Sequence, residues 1–138
     1  MSCEIFAIFS FMRNNHQSST PEASLQANIV AGKALTRAAD LLAVPARDMA
    51  DIVGLSEASL SRLKRGGLQL TGKAYELALL FIRVYRSLDA IMGGDDMAAR
   101  RWLRADNSAL GGQPLAKMKT IDGLTYVLAY LDARRAPV

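Results

Sequence analysis

Apolar side chains recur at spacings of three and four through most of this chain, and the polar and glycine breaks between them divide it into helices. From Asn14 to Ser24 the chain is polar, with Ser18, Ser19, Thr20 and Pro21 as breakers. Leu25, Ile29, Val30, Ala34, Leu35, Ala38, Leu41 and Leu42 then form one stripe, which predicts an amphipathic helix ending near Pro45. A second helix fits Ala46 to Val53 and stops at Gly54, which accepts positive φ without strain. A third follows Ser56, an N-cap with Glu57 placed favourably against the helix dipole, and reaches Arg65 before Gly66 and Gly67. A long fourth helix covers Gly72 to Met92 and closes at Gly93 and Gly94, and a fifth runs from Asp95 to Ala105. A turn from Asp106 to Gln113 leads to a short helix opened by Pro114, and a last helix runs from Thr120 to Arg135. Strand-like alternation is absent beyond the first few residues, so the expected class is all-α. The expected layout is a mobile leader over residues 1–24, a helix-turn-helix domain over 25–70, a connecting or dimerisation helix over 71–93 and a helical module over 94–138.

The segment Ala46 to Arg65 carries the constraints of a helix-turn-helix. Such a unit needs a small residue where the second helix crosses the first, a glycine-like turn, and apolar residues clamping the helices together. Ala50 is the small residue, Gly54 stands four positions later, and Met49, Val53, Leu55, Leu60 and Leu63 fill the clamp. The second helix then directs polar side chains away from that clamp. Ser56 and Ser59 are short hydroxyls suited to approaching phosphates or bases, and Arg62, Lys64 and Arg65 are suited to anions, so these five form the candidate DNA-binding set.

Composition agrees with this picture and narrows it. The chain has 138 residues, 51% of them apolar, and a net charge of +4. That suits one ordinary folded unit and favours an anionic partner. Residues 56–86 hold six basic and two acidic side chains, so the excess sits on the recognition helix and its successor. One cysteine, Cys3, cannot form an internal disulfide, and one histidine, His16, cannot build a Cys/His metal site. The expected cofactor and metal content is none. No apolar run reaches the ~18 residues of a membrane span. Ile5 to Phe9 follow Glu4 with no basic lead-in or cleavage site, so no membrane partner is expected and a cytoplasmic location is. The glycine pairs at 66–67, 93–94 and 111–112 form no phosphate-binding loop, and no carboxylate pair shares an apolar pocket, so the expectation is a protein that is not an enzyme.

On the fourth helix, Leu79 and Leu80 fall among Lys73, Glu76, Arg83 and Arg86 while apolar residues cover the remainder. A helix apolar nearly all round must be buried on most sides. Either a second copy covers it, through Leu79, Leu80 and Arg83, or its own chain does. Further on, Trp102 and Leu103 stand among Arg100, Arg101 and Arg104, with the indole expected under the following turn. That turn contains Asn107, Leu110, Gly111 and Gly112, followed by Pro114 and Leu115. On the last helix, Ile121, Leu124, Val127, Leu128 and Leu131 form the expected core stripe, Gly123 permits a close neighbour, and Tyr126 and Tyr130 flank it one turn apart.

This ordered set, Trp102-Leu103, Asn107, Ala109-Leu110-Gly111-Gly112, Pro114-Leu115, Thr120, Gly123, Val127 and Leu131, resembles the C-terminal toxin-binding domain of antitoxins of the Xre/MbcA/ParS type. Those antitoxins pair with RES-domain toxins and carry an Xre-like helix-turn-helix upstream, which Ala46 to Arg65 matches. The resemblance covers Ala34 to the C-terminal end. It departs from the family at Ala116 and Lys117, where an acidic residue follows Pro-Leu, and at Ala133-Arg134-Arg135, where the last helix ends on glycine.

The resemblance implies a helix-turn-helix bundle joined by a long helix to a small helical toxin-binding domain. It implies a non-enzymatic antitoxin that silences a toxin acting on NAD, a homodimer within a hetero-oligomer, and repression of its own operon through operator DNA. The toxin-binding set it suggests is Trp102, Asn107, Leu110, Gly111, Gly112, Pro114, Leu115, Tyr126, Tyr130, Arg134 and Arg135, with the tail from Arg134 to Val138 near the toxin's NAD pocket. The rival reading is a free-standing helix-turn-helix regulator whose C-terminal module binds a small ligand or only dimerises.

Overall fold

A computed structural model of the protein describes residues 20–135, which form seven helices and no strand. The reading of residues 1–19 as a leader, and of Ala136, Pro137 and Val138 as part of the tail, falls outside the described residues.

Helix α1 (Pro21–Leu41) opens on Thr20, whose hydroxyl accepts from the Ala23 amide, with Pro21 in the first turn. Residues 21–24 are therefore helical rather than part of a breaker. The apolar stripe reaches the core only from Ala31 onward. Leu25 and Ile29 stay 42% and 37% exposed, outside the core that the described helices enclose. The helix ends with Ala43 in the left-handed region (φ 53°), where the Val44 amide turns back to the Ala39 carbonyl.

Helices α2 (Ala46–Val53) and α3 (Glu57–Lys64) meet at Gly54, which adopts φ 72°. Met49, Ile52, Val53, Leu60 and Leu63 are buried between them and α1, and Leu55 packs against the same core. Helix α4 (Gly72–Ile91) is the central element: α1 and α2 lie against it on one side and the last helix on another. Leu77, Phe81, Ile82, Val84, Tyr85 and Leu88 are buried there. The cover that a helix apolar nearly all round requires thus comes largely from its own chain. Leu79 and Leu80 are half-buried, while Arg83 is exposed and bonded to Asp132 at 3.4 Å.

Helix α5 (Asp96–Arg104) is capped by Asp95, and a closed bend leads into α6 (Pro114–Lys117) and α7 (Ile121–Arg135). Leu124, Val127, Leu128 and Leu131 fill the gap against α4, but Ile121 is 56% exposed and does not join the stripe. The α6–α7 junction is tight at Gly123, where a Cβ would collide with the Lys117 carbonyl.

Polar clasps tie this second half to the helix-turn-helix. Arg100 Nε donates to the Leu41 carbonyl at 2.8 Å, and Arg104 donates to the Leu42 and Ala43 carbonyls at 3.3 and 2.6 Å. Lys119 Nζ meets Asp48 of α2 at 2.8 Å and Asp51 at 3.7 Å, contacts that hold its amine above the usual lysine range. Ser87 of α4 donates to Asp132 of α7 at 2.8 Å.

Candidate functional site

Two surfaces carry the side chains that chemistry singles out. The first is the exposed side of α3. Ser56 is occupied as an N-cap: its hydroxyl accepts from the Ser59 amide at 3.0 Å and bonds the Ser59 hydroxyl at 3.0 Å. Arg62 extends this chain, donating to the Ser59 hydroxyl at 3.3 Å. The three residues form one small network that holds the guanidinium over the start of the helix. Arg65, the C-cap residue, is exposed. Lys64 is the exception in the predicted set, since its amine lies 3.6 Å from Asp40 of α1. Asp40 pulls it toward a groove of about 430 Å³ between α1 and the segment after α3.

The second surface is built from the 107–112 bend and one ridge of α7. Asn107 makes the bend self-supporting: its side-chain oxygen accepts from the Ala109 and Leu110 amides, and its backbone exchanges bonds with Gly112 at 3.0 and 3.2 Å. Gly111 supplies a positive φ of 76° that a side chain would strain. Leu110, Pro114 and Leu115 point inward and are buried, so they anchor the bend rather than present a surface. The Lys117 side chain lies against Gly111 and Gly112, at the family-variant position.

Positions 122, 126, 130 and 134 follow one another at four-residue spacing along α7 and so form a ridge. Tyr126 is 57% exposed, and its hydroxyl donates to the Ala109 carbonyl of the bend at 3.4 Å. Tyr130 stacks on Trp102, with ring centres 6.2 Å apart and planes 23° apart. The Arg134 guanidinium lies 4.5 Å from the centre of the Tyr130 ring. The partner of the indole is therefore the last helix, not the turn that follows α5. Trp102, Tyr130 and Arg134 are brought into one cluster with Tyr126 beside the bend, while Arg135 is exposed at the end of α7.

Sequence patterning missed the roles of Arg100, Arg104 and Lys119, which join the two halves, and of Asp132, which ties α7 to α4. Each acts across more than 40 positions of chain, and periodicity carries no signal at that separation.

The described residues thus form a helix-turn-helix joined through one long helix to a second helical module that carries an aromatic ridge. A family model described as an antitoxin Xre-like helix-turn-helix domain matches residues 23–83. A second, described as the antitoxin Xre/MbcA/ParS C-terminal toxin-binding domain, matches residues 87–136. The chain belongs to the Xre/MbcA/ParS antitoxins and combines the helix-turn-helix and toxin-binding domains of a toxin–antitoxin system. Both matches reach into α4, which serves both modules. Among curated proteins none matches the chain. No described helix is long and apolar enough to cross a membrane.

Proposed function

We propose that this antitoxin belongs to a type II pair whose toxin carries a RES domain and acts on NAD, either degrading it or transferring its ADP-ribose to a target. The protein acts by binding alone, in the cytoplasm, and represses its own operon through α2 and α3. The observation that carries the reading is the ridge of Tyr126, Tyr130 and Arg134 beside a rigid bend, inside the residues matched by the toxin-binding family model. Two aromatic rings held by stacking and hydrogen bonding lose little freedom on docking, which suits them as anchors. Arg134 and Arg135 then stand at the edge of the interface, where they pair with carboxylates of the toxin or obstruct its NAD pocket.

Self-association through Leu79, Leu80 and Arg83 is part of the proposal. With α4 covered by its own chain, it rests on the half-buried leucine pair alone.

Co-expression with the product of the neighbouring reading frame, followed by pull-down and an NAD assay, tests the reading. The expected result is a stable complex and preserved NAD. Tyr126→Ala should weaken the complex by a factor of about 30, corresponding to loss of a ~2 kcal/mol anchor. Deleting residues 134–138 should weaken neutralisation further. No complex and no effect on NAD would leave the free-standing regulator as the better account.

A further inference from the structure

Helix α5 belongs to the toxin-binding module, yet its basic side faces the helix-turn-helix. Arg100, Arg101 and Arg104, together with Met97 and Ala105, line a shallow, open depression whose other wall is Ala43 and Pro45, in the link that leads into α2. Arg47 follows on the first turn of α2 and is exposed. Among the described residues no carboxylate lies within ion-pair distance of any of these four guanidiniums. Arg100 and Arg104 are held in place by the carbonyls at the end of α1, which fix their planes without neutralising them. Arg101 is exposed and makes no such bond. The acids of the same helix are engaged at its other end: Asp95 caps it, and Asp96 lies close enough to Asp89 to raise that carboxyl above the usual range.

The position of this patch identifies what it fits. In a helix-turn-helix the second helix enters the major groove while the first crosses the phosphate backbone. Helix α2 has eight residues, so its start lies about 12 Å from the turn that leads into α3. That distance is comparable to the width of the major groove, about 12 Å. If α3 lies in the groove, the start of α2, with the depression next to it, stands about one groove width away, at the distance of the bordering phosphates.

We infer that Arg101, with Arg100 and Arg104 lining the same depression and Arg47 on the first turn of the adjoining α2, is a phosphate-binding patch through which the toxin-binding module itself grips DNA. The inference rests on the reading of α3 as a DNA-contacting helix. The partner is the sequence-independent backbone of a duplex, because planar guanidiniums with no base-reading element suit phosphate oxygens. The footprint on DNA then extends past the helix-turn-helix on the α2 side, and both domains share the electrostatic part of affinity.

The test is a salt titration of binding to a fluorescein-labelled 30-base-pair duplex of mixed sequence, read by anisotropy, with the full chain. Arg101→Ala should lower the slope of log K against log salt by about 0.9, the value for one phosphate contact. Arg101→Lys should keep most of the slope, and Arg101→Glu should weaken binding more than alanine does. Thermal melting of each variant confirms folding. If Arg62→Ala/Arg65→Ala lowers the slope while Arg101→Ala leaves it intact, the patch is not a DNA contact and the α3 reading survives. If Arg101→Ala weakens toxin neutralisation with no change in slope, the patch belongs to a protein partner and the inference fails. Absence of salt-dependent binding by the unaltered protein would remove both the inference and the reading beneath it.

Discussion

Ala43 concentrates much of what single side chains do here. It is the described non-glycine residue with positive φ, at 53°, and it ends α1 where glycine is usual. A Cβ in that region costs about 1–2 kcal/mol. The cost is borne because Arg104 fixes the Ala43 carbonyl at 2.6 Å. Ala43→Gly should therefore stabilise the fold by about 1 kcal/mol, a rise in Tm of about 4 °C by thermal denaturation. An unchanged or lower Tm would mean that the added freedom of the unfolded chain outweighs the relief. Glycine chemistry was legible in the sequence at Gly54, Gly111 and Gly123, because each has a local reason. The strain at Ala43 was not, since alanine gives no hint of a left-handed conformation.

Among the helices, α4 shows how packing alters the chemistry of its own side chains. Burial pushes the Tyr85 hydroxyl up to about 12, with the charges of Asp89 and Asp96 acting in the same direction and Arg37 against it. Burial and then Asp96 raise the Asp89 carboxyl above the usual carboxylate range. Asp89 also lies in the last turn of α4, where a negative charge opposes the helix dipole. A carboxyl raised by folding costs stability when ionised, and that cost disappears as pH falls through its raised pKa. Asp89→Asn should accordingly raise Tm at pH 7, and the gain should shrink in mild acid. A gain that is the same at both pH values would assign the effect to something other than the charge. The same helix shows why the leucine pair at 79 and 80 was ambiguous: periodicity says which faces are apolar, not whose side chains cover them.

At the level of the complete chain, α4 lends one side to the core of the helix-turn-helix and another to α7, and the arginine and lysine clasps cross between the halves. Two modules that share a central helix lose both cores when it melts. Calorimetry should show one transition with equal calorimetric and van't Hoff enthalpies. Two resolved transitions would mean that the halves are joined only by chain.

The linear order of residues was enough for the seven helices, the helix-turn-helix and the family, because caps, glycine turns and apolar spacing act within a few positions. It also singled out Tyr126, Tyr130 and Trp102, though not that Tyr130 and Trp102 stack on each other. Folding in three dimensions settled which apolar residues are covered: Leu25, Ile29 and Ile121 have the right spacing but stay exposed. It also brought α5 arginines to the end of α1 and Lys119 to Asp48, contacts between residues some 60 to 70 positions apart in the chain. Burial and long-range pairing depend on how the helices close on one another, and no local spacing encodes that.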